Sequence, residues 1–276
     1  MREIKVKRLI NGTLVREGAG VKLHRYIGAD ASNNFEPFLL FDYFDSADML
    51  DFMAGFPAHP HRGFETITYL LHGAITHTDN QGHKGTIGAG DVQWMTAGRG
   101  IVHSEMPSSA SGRLQGLQLW LNLPAAEKMR APRYQEKLNE ELPVERSPSG
   151  VVIKVIAGQT DLGTTSPITE IATHPLFLDI SMPEGTELSQ GISQGSQSIL
   201  FVVSGAVTLG DVVISQGVLA DLSDGDVIHL KAVQDSQCFL IAANKLHEPV
   251  ARYGPFVMNT QEEIMQALDD FRNNRF

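Results

Sequence analysis

The sequence predicts an all-β fold built from two similar units, and three observations indicate it. Short alternating or apolar runs that suit β-strands are spread along all 276 residues. Clusters of Gly, Asn, Asp and Pro separate these runs at short intervals, as in sandwiches and barrels. Short motifs also recur in the same order in both halves, which favours a duplicated β-unit.

Strand candidates begin at the N-terminus. Ile4 and Val6 alternate there with basic residues, which predicts a half-buried strand rather than a binding tail. The clearest later candidates are short runs rich in apolar residues: 65–71, 92–95, 116–123, 151–157, 199–203 and 238–243.

Helix signals are few. Residues 124–129 suit a short helix between the halves, and Thr260 with Glu263 forms a capping box for a helix at the end of the chain. One apolar stripe follows this cap at helical spacing, formed by Ile264, Leu268 and Phe271.

The internal repeat sets the domain organisation. Residues 73–76 recur as 205–208, and residues 90–92 recur as 225–227 at a nearly equal offset. We expect the boundary in the charged, Pro-bearing stretch 133–149. The predicted domains are therefore residues 1–135 and residues 136–276, with the terminal helix in the second.

Two pairs of ligand-type residues stand out in the first half. His59 and His61 form one pair, and His103 and Glu105 form the other. Residues i and i+2 of a strand point to the same side, so neighbouring strands would aim three imidazoles and one carboxylate at one point. This donor set suits a divalent transition metal such as iron and leaves coordination positions open.

The repeat allows the second half to serve as a comparison. Transferring the pairs by the repeat offsets places Gly191 and Ser193 at the first pair, and Cys238 and Leu240 at the second. A single thiol holds a metal poorly. We therefore predict one metal site, in the first domain, and a structural role for the second domain.

Residues around the pairs are consistent with converging strands. Pro60 cannot donate to a β-ladder, which predicts a position at a sheet edge or at the start of a strand, near a barrel mouth. Glycines at 63, 98 and 100 allow the backbone to bend. Arg62 and Glu65 could orient the ligands. A pairing of Glu65 with a surface cation is an equally open reading.

Other candidates have simpler interpretations. Cys238 suits a small core residue, and the glycines of 85–90 do not follow the strand–helix pattern of a phosphate loop. Three further histidines suit structural or solvent-exposed positions: His72, His77 and His83. Four large apolar residues beside the pairs suit core packing more than a cavity wall: Phe56, Phe64, Trp94 and Met95.

Composition excludes several function classes. A formal net charge of −10 works against binding to nucleic acid or anionic membrane. No apolar run has the length of a membrane span, and the N-terminus lacks the apolar core of a secretory signal. The single cysteine excludes an intrachain disulfide. The expected location is the reducing cytoplasm.

Four segments of the chain together resemble the pirin family. They are residues 56–66, 90–107, 116–124 and 254–260, so the resemblance spans most of the sequence. It implies a fold of the cupin superfamily with two stacked β-barrels, a bicupin, and a short C-terminal helix.

The resemblance also implies a site. One iron-type centre is expected in the N-terminal barrel only, held by the residues matching His59, His61, His103 and Glu105. In many other cupins the carboxylate ligand lies in the first motif, where this chain has Glu65. The pirin pattern assigns that role to Glu105.

Two functions follow from this resemblance. The leading prediction is an oxidoreductase of the quercetin 2,3-dioxygenase type, with Fe²⁺ as the expected metal. It would open a flavonol or a similar small enolic aromatic with O₂, and Glu105 would accept the substrate proton. The alternative is a metal- or redox-responsive protein that regulates a transcription factor or a metabolic enzyme. An inert scaffold is the third reading.

Overall fold

Strands dominate the computed structural model, which describes residues 2–28, 35–108 and 112–276. The first twelve strands are β1 (Val6–Asn11), β2 (Thr13–Glu17), β3 (Val21–Ile27), β4 (Phe38–Ser46), β5 (Phe56–His61), β6 (Phe64–His72), β7 (Ile75–Asp79), β8 (Lys84–Ile87), β9 (Val92–Thr96), β10 (Ile101–Pro107), β11 (Leu114–Asn122) and β12 (Arg133–Lys137).

The remaining strands follow after the expected boundary. They are β13 (Val144–Arg146), β14 (Val152–Ala157), β15 (Leu176–Met182), β16 (Glu187–Gly191), β17 (Ser196–Ser204), β18 (Ala206–Leu209), β19 (Val212–Ser215), β20 (Val218–Leu222), β21 (Val227–Ala232), β22 (Ser236–Asn244), β23 (Ala251–Tyr253) and β24 (Phe256–Met258). The α-helix α1 (Gln261–Arg272) closes the chain, and short 3-10 helices lie at Met49–Asp51, Ala125–Glu127 and Asn139–Glu141.

The chain folds into two compact units. The N-barrel comprises Thr13–Asn139 and Leu246–Phe276, and the C-barrel comprises Met1–Gly12 and Glu140–Lys245. These units differ from the expected domains 1–135 and 136–276 at both ends of the chain. Strand β1 pairs with β20 of the C-barrel, while helix α1 packs on β23 and β24 of the N-barrel.

Each unit pairs one large sheet with one small sheet. The N-barrel has the strand orders β12-β9-β6-β11-β4-β3-β2 and β5-β10-β7-β8, and the C-barrel has β1-β20-β17-β22-β15-β14-β13 and β16-β21-β18-β19. Every strand of these sheets therefore has a counterpart in the other unit. The all-β prediction and the duplication are confirmed.

The predicted elements agree with the observed ones. The six strand candidates coincide, within one residue, with parts of β6, β9, β11, β14, β17 and β22. The Thr260 side chain accepts a hydrogen bond from the backbone N–H of Glu263 at the start of α1, and the Glu263 carboxylate accepts one from the backbone N–H of Thr260, so the capping box is confirmed. In the predicted apolar stripe of α1, Ile264 is buried.

One of the two repeat motifs was matched wrongly. Residues 73–76 lead into β7 and residues 205–208 lead into β18, and these two strands are counterparts. Residues 90–92 lead into β9, however, whereas 225–227 lead into β21, the counterpart of β10. Connections between matching strands differ in length, so a fixed offset does not preserve the register.

The transferred ligand positions must be corrected for the same reason. Cys238 and Leu240 lie on β22, the counterpart of β11, and not on the counterpart of β10. Gly191 and Ser193 are displaced by one residue from the positions that match His59 and His61, as the ladder register shows below.

Candidate metal centre

Two antiparallel neighbours, β5 and β10, carry the predicted histidines. His103 lies directly opposite His59 in their ladder, and Ile101 lies opposite His61. His59 and His61 share one side of β5 because they are two residues apart. Strand β5 is the edge of its sheet, so the missing N–H of Pro60 costs no ladder bond. Of the two predicted positions for Pro60, the sheet edge is confirmed, and the start of a strand is not the one observed.

The three imidazoles converge. Their ring centroids are 4.7 Å apart for His59 and His61, 4.5 Å for His59 and His103, and 5.0 Å for His61 and His103. One nitrogen from each ring lies within 4.8 Å of the others. The sequence prediction that these segments meet is confirmed for the histidines, which form a group that could hold a metal ion.

Burial keeps two of these rings neutral. His61 and His103 are 2% and 1% exposed. Burial, followed by the charges of His103 and His59, lowers the pKa of His61 well below its usual value. Burial also lowers the pKa of His103 to about 4, although Glu105 opposes the shift. Neutral imidazole is the form that binds metals.

The unsatisfied nitrogens fit a metal ion. Within the described ranges, Nδ1 of His61 and both ring nitrogens of His103 are buried without a hydrogen-bond partner. Such orphaned atoms are costly unless a ligand satisfies them. His59 is different, because its Nδ1 lies 2.8 Å from the carbonyl of Pro57. A proton on Nδ1 would donate there and leave Nε2 as the free donor atom.

Glu105, the fourth predicted ligand, is buried two residues after His103. Its carboxylate accepts hydrogen bonds from Nε2 of Gln118 at 3.0 and 3.1 Å and from Oγ1 of Thr68 at 3.4 Å. Among the described residues, the group of mutually close donors contains the histidines and not Glu105. Its roles as ligand and as proton acceptor stay predictions.

The two candidates for orienting the ligands have other partners. Arg62 is buried and donates to Asp270 of α1 at 2.7 Å, with its guanidinium 4.4 Å from the ring of Phe276. Glu65 is 1% exposed and accepts from Oγ1 of Thr96 at 2.6 Å. The reading of Glu65 as a surface ion pair is therefore wrong, because the carboxylate lies inside the barrel.

The C-terminal segment supports the site in a way that sequence reasoning missed. Arg62 exchanges backbone hydrogen bonds with Pro255 and Val257. Gly63 permits this approach, since a Cβ there would lie 2.0 Å from the carbonyl oxygen of Val257. Buried Lys128 donates to the carbonyls of Gly63 and Val257 at 2.7 and 3.0 Å. These contacts fix the backbone that follows His61.

The remaining histidines do not join the metal group. His77 is buried, with Nε2 at 2.9 Å from Glu136, and it stacks on Tyr134. His83 is largely exposed and lies 3.1 Å from Asp79. Both agree with the structural or solvent interpretation. His72 is exposed at the end of β6.

A cavity of about 600 Å³ opens onto the histidines. His59 and His61 line it, together with the rings of Phe56 and Trp120. Phe64 packs behind them, 5.1 Å from His61. Of the four large apolar residues, Phe56 thus forms a cavity wall, whereas Phe64, Trp94 and Met95 are fully buried core.

Trp120 and Gln118 are site residues that sequence reasoning assigned to a strand without a role. The Trp120 ring is 5.3 Å from His61, and its Nε1 donates to Oε1 of Gln118 at 3.2 Å. Their signal was the alternation of β11, which places both side chains on the side that carries the cavity.

No helix in the described ranges is long and apolar enough to span a membrane.

Comparison with known proteins identifies the family. A family model described as Pirin matches residues 20–121, and one described as the pirin C-terminal cupin domain matches residues 177–276. A pirin-like protein of Caulobacter vibrioides is 44% identical, with 98% of each chain covered. Pirin of Homo sapiens is 46% identical over 93% of this chain and 88% of its own. A crystal structure of quercetin 2,3-dioxygenase from Acinetobacter baumannii has a TM-score of 0.90, 32% identity, and coverage of 99% and 98%.

Proposed function

The chain belongs to the pirin family, and from that premise we propose that it is a mononuclear metal-dependent dioxygenase of the quercetin 2,3-dioxygenase type. The proposed metal is Fe²⁺, and the proposed substrate is a flavonol or a similar enolic aromatic that is opened with O₂. A cytoplasmic location is part of the proposal, and the lone, buried Cys238 is consistent with it.

Three converging imidazoles, two of which line an aromatic-walled cavity, carry this proposal. Their orphaned nitrogens suit a transition ion, which would supply Lewis-acid and redox chemistry when bound. The name of the Acinetobacter baumannii relative supports the choice of reaction. Phe56 and Trp120 offer flat apolar faces against which an aromatic substrate can lie.

Glu105 is the proposed proton acceptor and fourth ligand. Within the described residues it is the carboxylate that follows His103 on β10 and lies between that strand and Gln118. The amide of Gln118 donates to both carboxylate oxygens, and its own oxygen accepts from Trp120, so the chain of hydrogen bonds fixes the orientation of the amide. A carboxylate held in this way could take the hydroxyl proton of a bound substrate.

Turnover by the iron-loaded protein tests the proposal. The protein is loaded with iron under anaerobic conditions and then given quercetin and O₂. We expect loss of flavonol absorbance with release of carbon monoxide, and we expect neither from His61→Ala. Absence of flavonol loss while each chain holds a metal would reject the dioxygenase and leave the binding-protein alternative.

A further inference from the structure

The mouth of the cavity carries an arginine that the proposed reaction does not use. Arg252 lies on β23 and lines the cavity together with Trp120. Its Nη1 donates to the carbonyl of Leu39 at 3.0 Å, and its Nε lies 3.5 Å from the carbonyl of Gly254. Among the described residues, its hydrogen-bond acceptors are these two carbonyls, and Asp42 acts on the guanidinium through charge alone.

A second arginine in the same cavity provides the contrast. Arg25 donates to both carboxylate oxygens of Asp42 at 2.8 Å and to Glu17 at 2.7 Å. The carboxylates of Asp42 and Glu17 therefore compensate the charge of Arg25, and Arg25 fixes their orientation. Arg252 contacts two carbonyls and the Trp120 ring, and Asp42 acts on it through charge without a hydrogen bond, so it is the less compensated of the two cations and the one with donors available to a ligand.

Trp120 connects this cation to the metal centre. The guanidinium of Arg252 lies 5.2 Å from the Trp120 ring, and the same ring lies 5.3 Å from that of His61. Both groups therefore lie beside one indole ring, so an aromatic ligand against Trp120 would be near His61 and near Arg252. A molecule of two or three fused or linked rings is large enough to contact both groups at once.

We propose that Arg252 is a specificity-determining residue that binds a carboxylate on the substrate, at the end remote from the metal-binding hydroxyl. The substrate class is then an acidic enolic aromatic. This inference rests on the proposed function, because it places the hydroxyl end of the substrate at the histidines. The planar guanidinium suits a carboxylate through two parallel hydrogen bonds.

Two matched probes test the inference. One is 3-hydroxyflavone with a carboxylate on its outer phenyl ring, and the other is the methyl ester of the same molecule. Binding to the iron-loaded protein is measured by calorimetry without O₂, so that turnover does not enter. We expect the acid to bind at least about tenfold more tightly than the ester, since hydrogen bonds to charged groups have that strength.

Two variants locate the preference. Arg252→Gln should remove the preference for the acid and leave the affinity for the ester unchanged. Arg146→Gln, at an exposed arginine of the C-barrel, should behave as the unchanged protein. The preference should also weaken at high salt, because the site is open to solvent.

The outcomes separate the two proposals. Equal binding of acid and ester, or a preference that survives in Arg252→Gln, overturns the role of Arg252 while quercetin turnover still supports the dioxygenase. Failure of both probes to bind, together with absence of quercetin turnover, overturns both.

Discussion

The two barrels of this chain share one strand order and differ in what they hold inside. Each has a seven-stranded sheet and a four-stranded sheet with counterpart strands in the same sequence. The N-barrel interior carries histidines and carboxylates, whereas the core of the C-barrel is an apolar cluster. The fold therefore does not require the polar residues of the N-barrel.

The ladders allow a residue-by-residue comparison. The matching turns 73–76 and 205–208 make Ile75 of the N-barrel the counterpart of Val207 of the C-barrel. Ile75 opposes Pro107 in its ladder and Val207 opposes Ala232, so Pro107 and Ala232 are also counterparts. Two residues further, Glu105 opposes His77, and the matching pair is Leu230 with Leu209. The ladders to the edge strands β5 and β16 extend this match, because His103 opposes His59 and Ile228 opposes Gln190. The counterparts of His59, His61, His103 and Glu105 are, in that order, Gln190, Ile192, Ile228 and Leu230.

The counterparts show what a cupin barrel holds without a metal site. Ile192, Ile228 and Leu230 belong to the C-barrel core. Gln118 matches Leu240, and Thr68 matches Leu200, by the same register. Apart from Gln190, which is buried and polar, this layer is aliphatic in the C-barrel and polar in the N-barrel. Buried polar groups destabilise a fold unless they are satisfied, so their presence in the N-barrel points to function.

The largest effect should come from placing the C-barrel side chain into the N-barrel site. His103→Ile removes one of three converging donors and should abolish metal loading, as should His61→Ala. In the metal-free protein, His103→Ile also removes two orphaned nitrogens. The free energy of unfolding should then rise by about 1–3 kcal/mol. Elemental analysis and urea unfolding measure the two effects.

The reverse change in the C-barrel is the control. Ile228→His should bind no additional metal and should lower the free energy of unfolding, since it buries an imidazole in an aliphatic core. Metal retained by His103→Ile would show that the three histidines are not the site.

The convergence of the histidines was predictable because it rests on a local rule. Residues two apart on a strand share a side, and the pattern is visible in His59 and His61 without knowledge of the fold. The strands and the capping box were predictable for the same reason. Each depends on periodicity or on side-chain chemistry within a few residues.

Contacts between distant segments were not predictable in this way. Arg252 reaches the cavity, and Asp270 reaches Arg62, because the C-terminal segment packs in the N-barrel. The orientation of Glu105 depends on Gln118 of another strand. The repeat misled at Cys238, because connections of unequal length shift the register between the two barrels.

A smaller effect is expected where the polar layer supports the site. Gln118→Leu gives β11 the side chain of its counterpart Leu240 and removes both hydrogen bonds to Glu105. Metal affinity should fall by about 10–100-fold, as for other residues that orient ligands. Gln115→Leu is the matched control, since its amide donates to Tyr43. Competition with a chelator measures both affinities, and equal values would remove Glu105 from the ligand set.

A third effect is a pH dependence of stability at an ion pair of the N-barrel, formed by Asp270 and Arg62. Burial would raise the pKa of Asp270, but hydrogen bonds from Arg62, Arg275 and Gln266 outweigh it and lower that pKa to about 2. Asp270 therefore stabilises the fold above its unfolded pKa of 3.8, and this contribution is lost as the pH falls towards 2.

Asp270→Asn should test that contribution. The free energy of unfolding at pH 7 should fall by about 2 kcal/mol, because buried Arg62 loses a charged partner. The difference from the unchanged protein should shrink in acid. Asp269→Asn, at an exposed neighbour, should have little effect at any pH. A constant difference across the acid range would contradict the ion pair.

The smallest effect on metal loading is expected in the C-barrel at Cys238. This thiol is fully buried, burial raises its pKa, and its ladder position matches Gly116 rather than a ligand. Cys238→Ser should leave metal loading unchanged and lower the free energy of unfolding by about 1–3 kcal/mol, since it buries a hydroxyl in an apolar core. Elemental analysis beside His61→Ala decides the matter: equal loss of metal from both variants would mean that the two barrels are not functionally distinct.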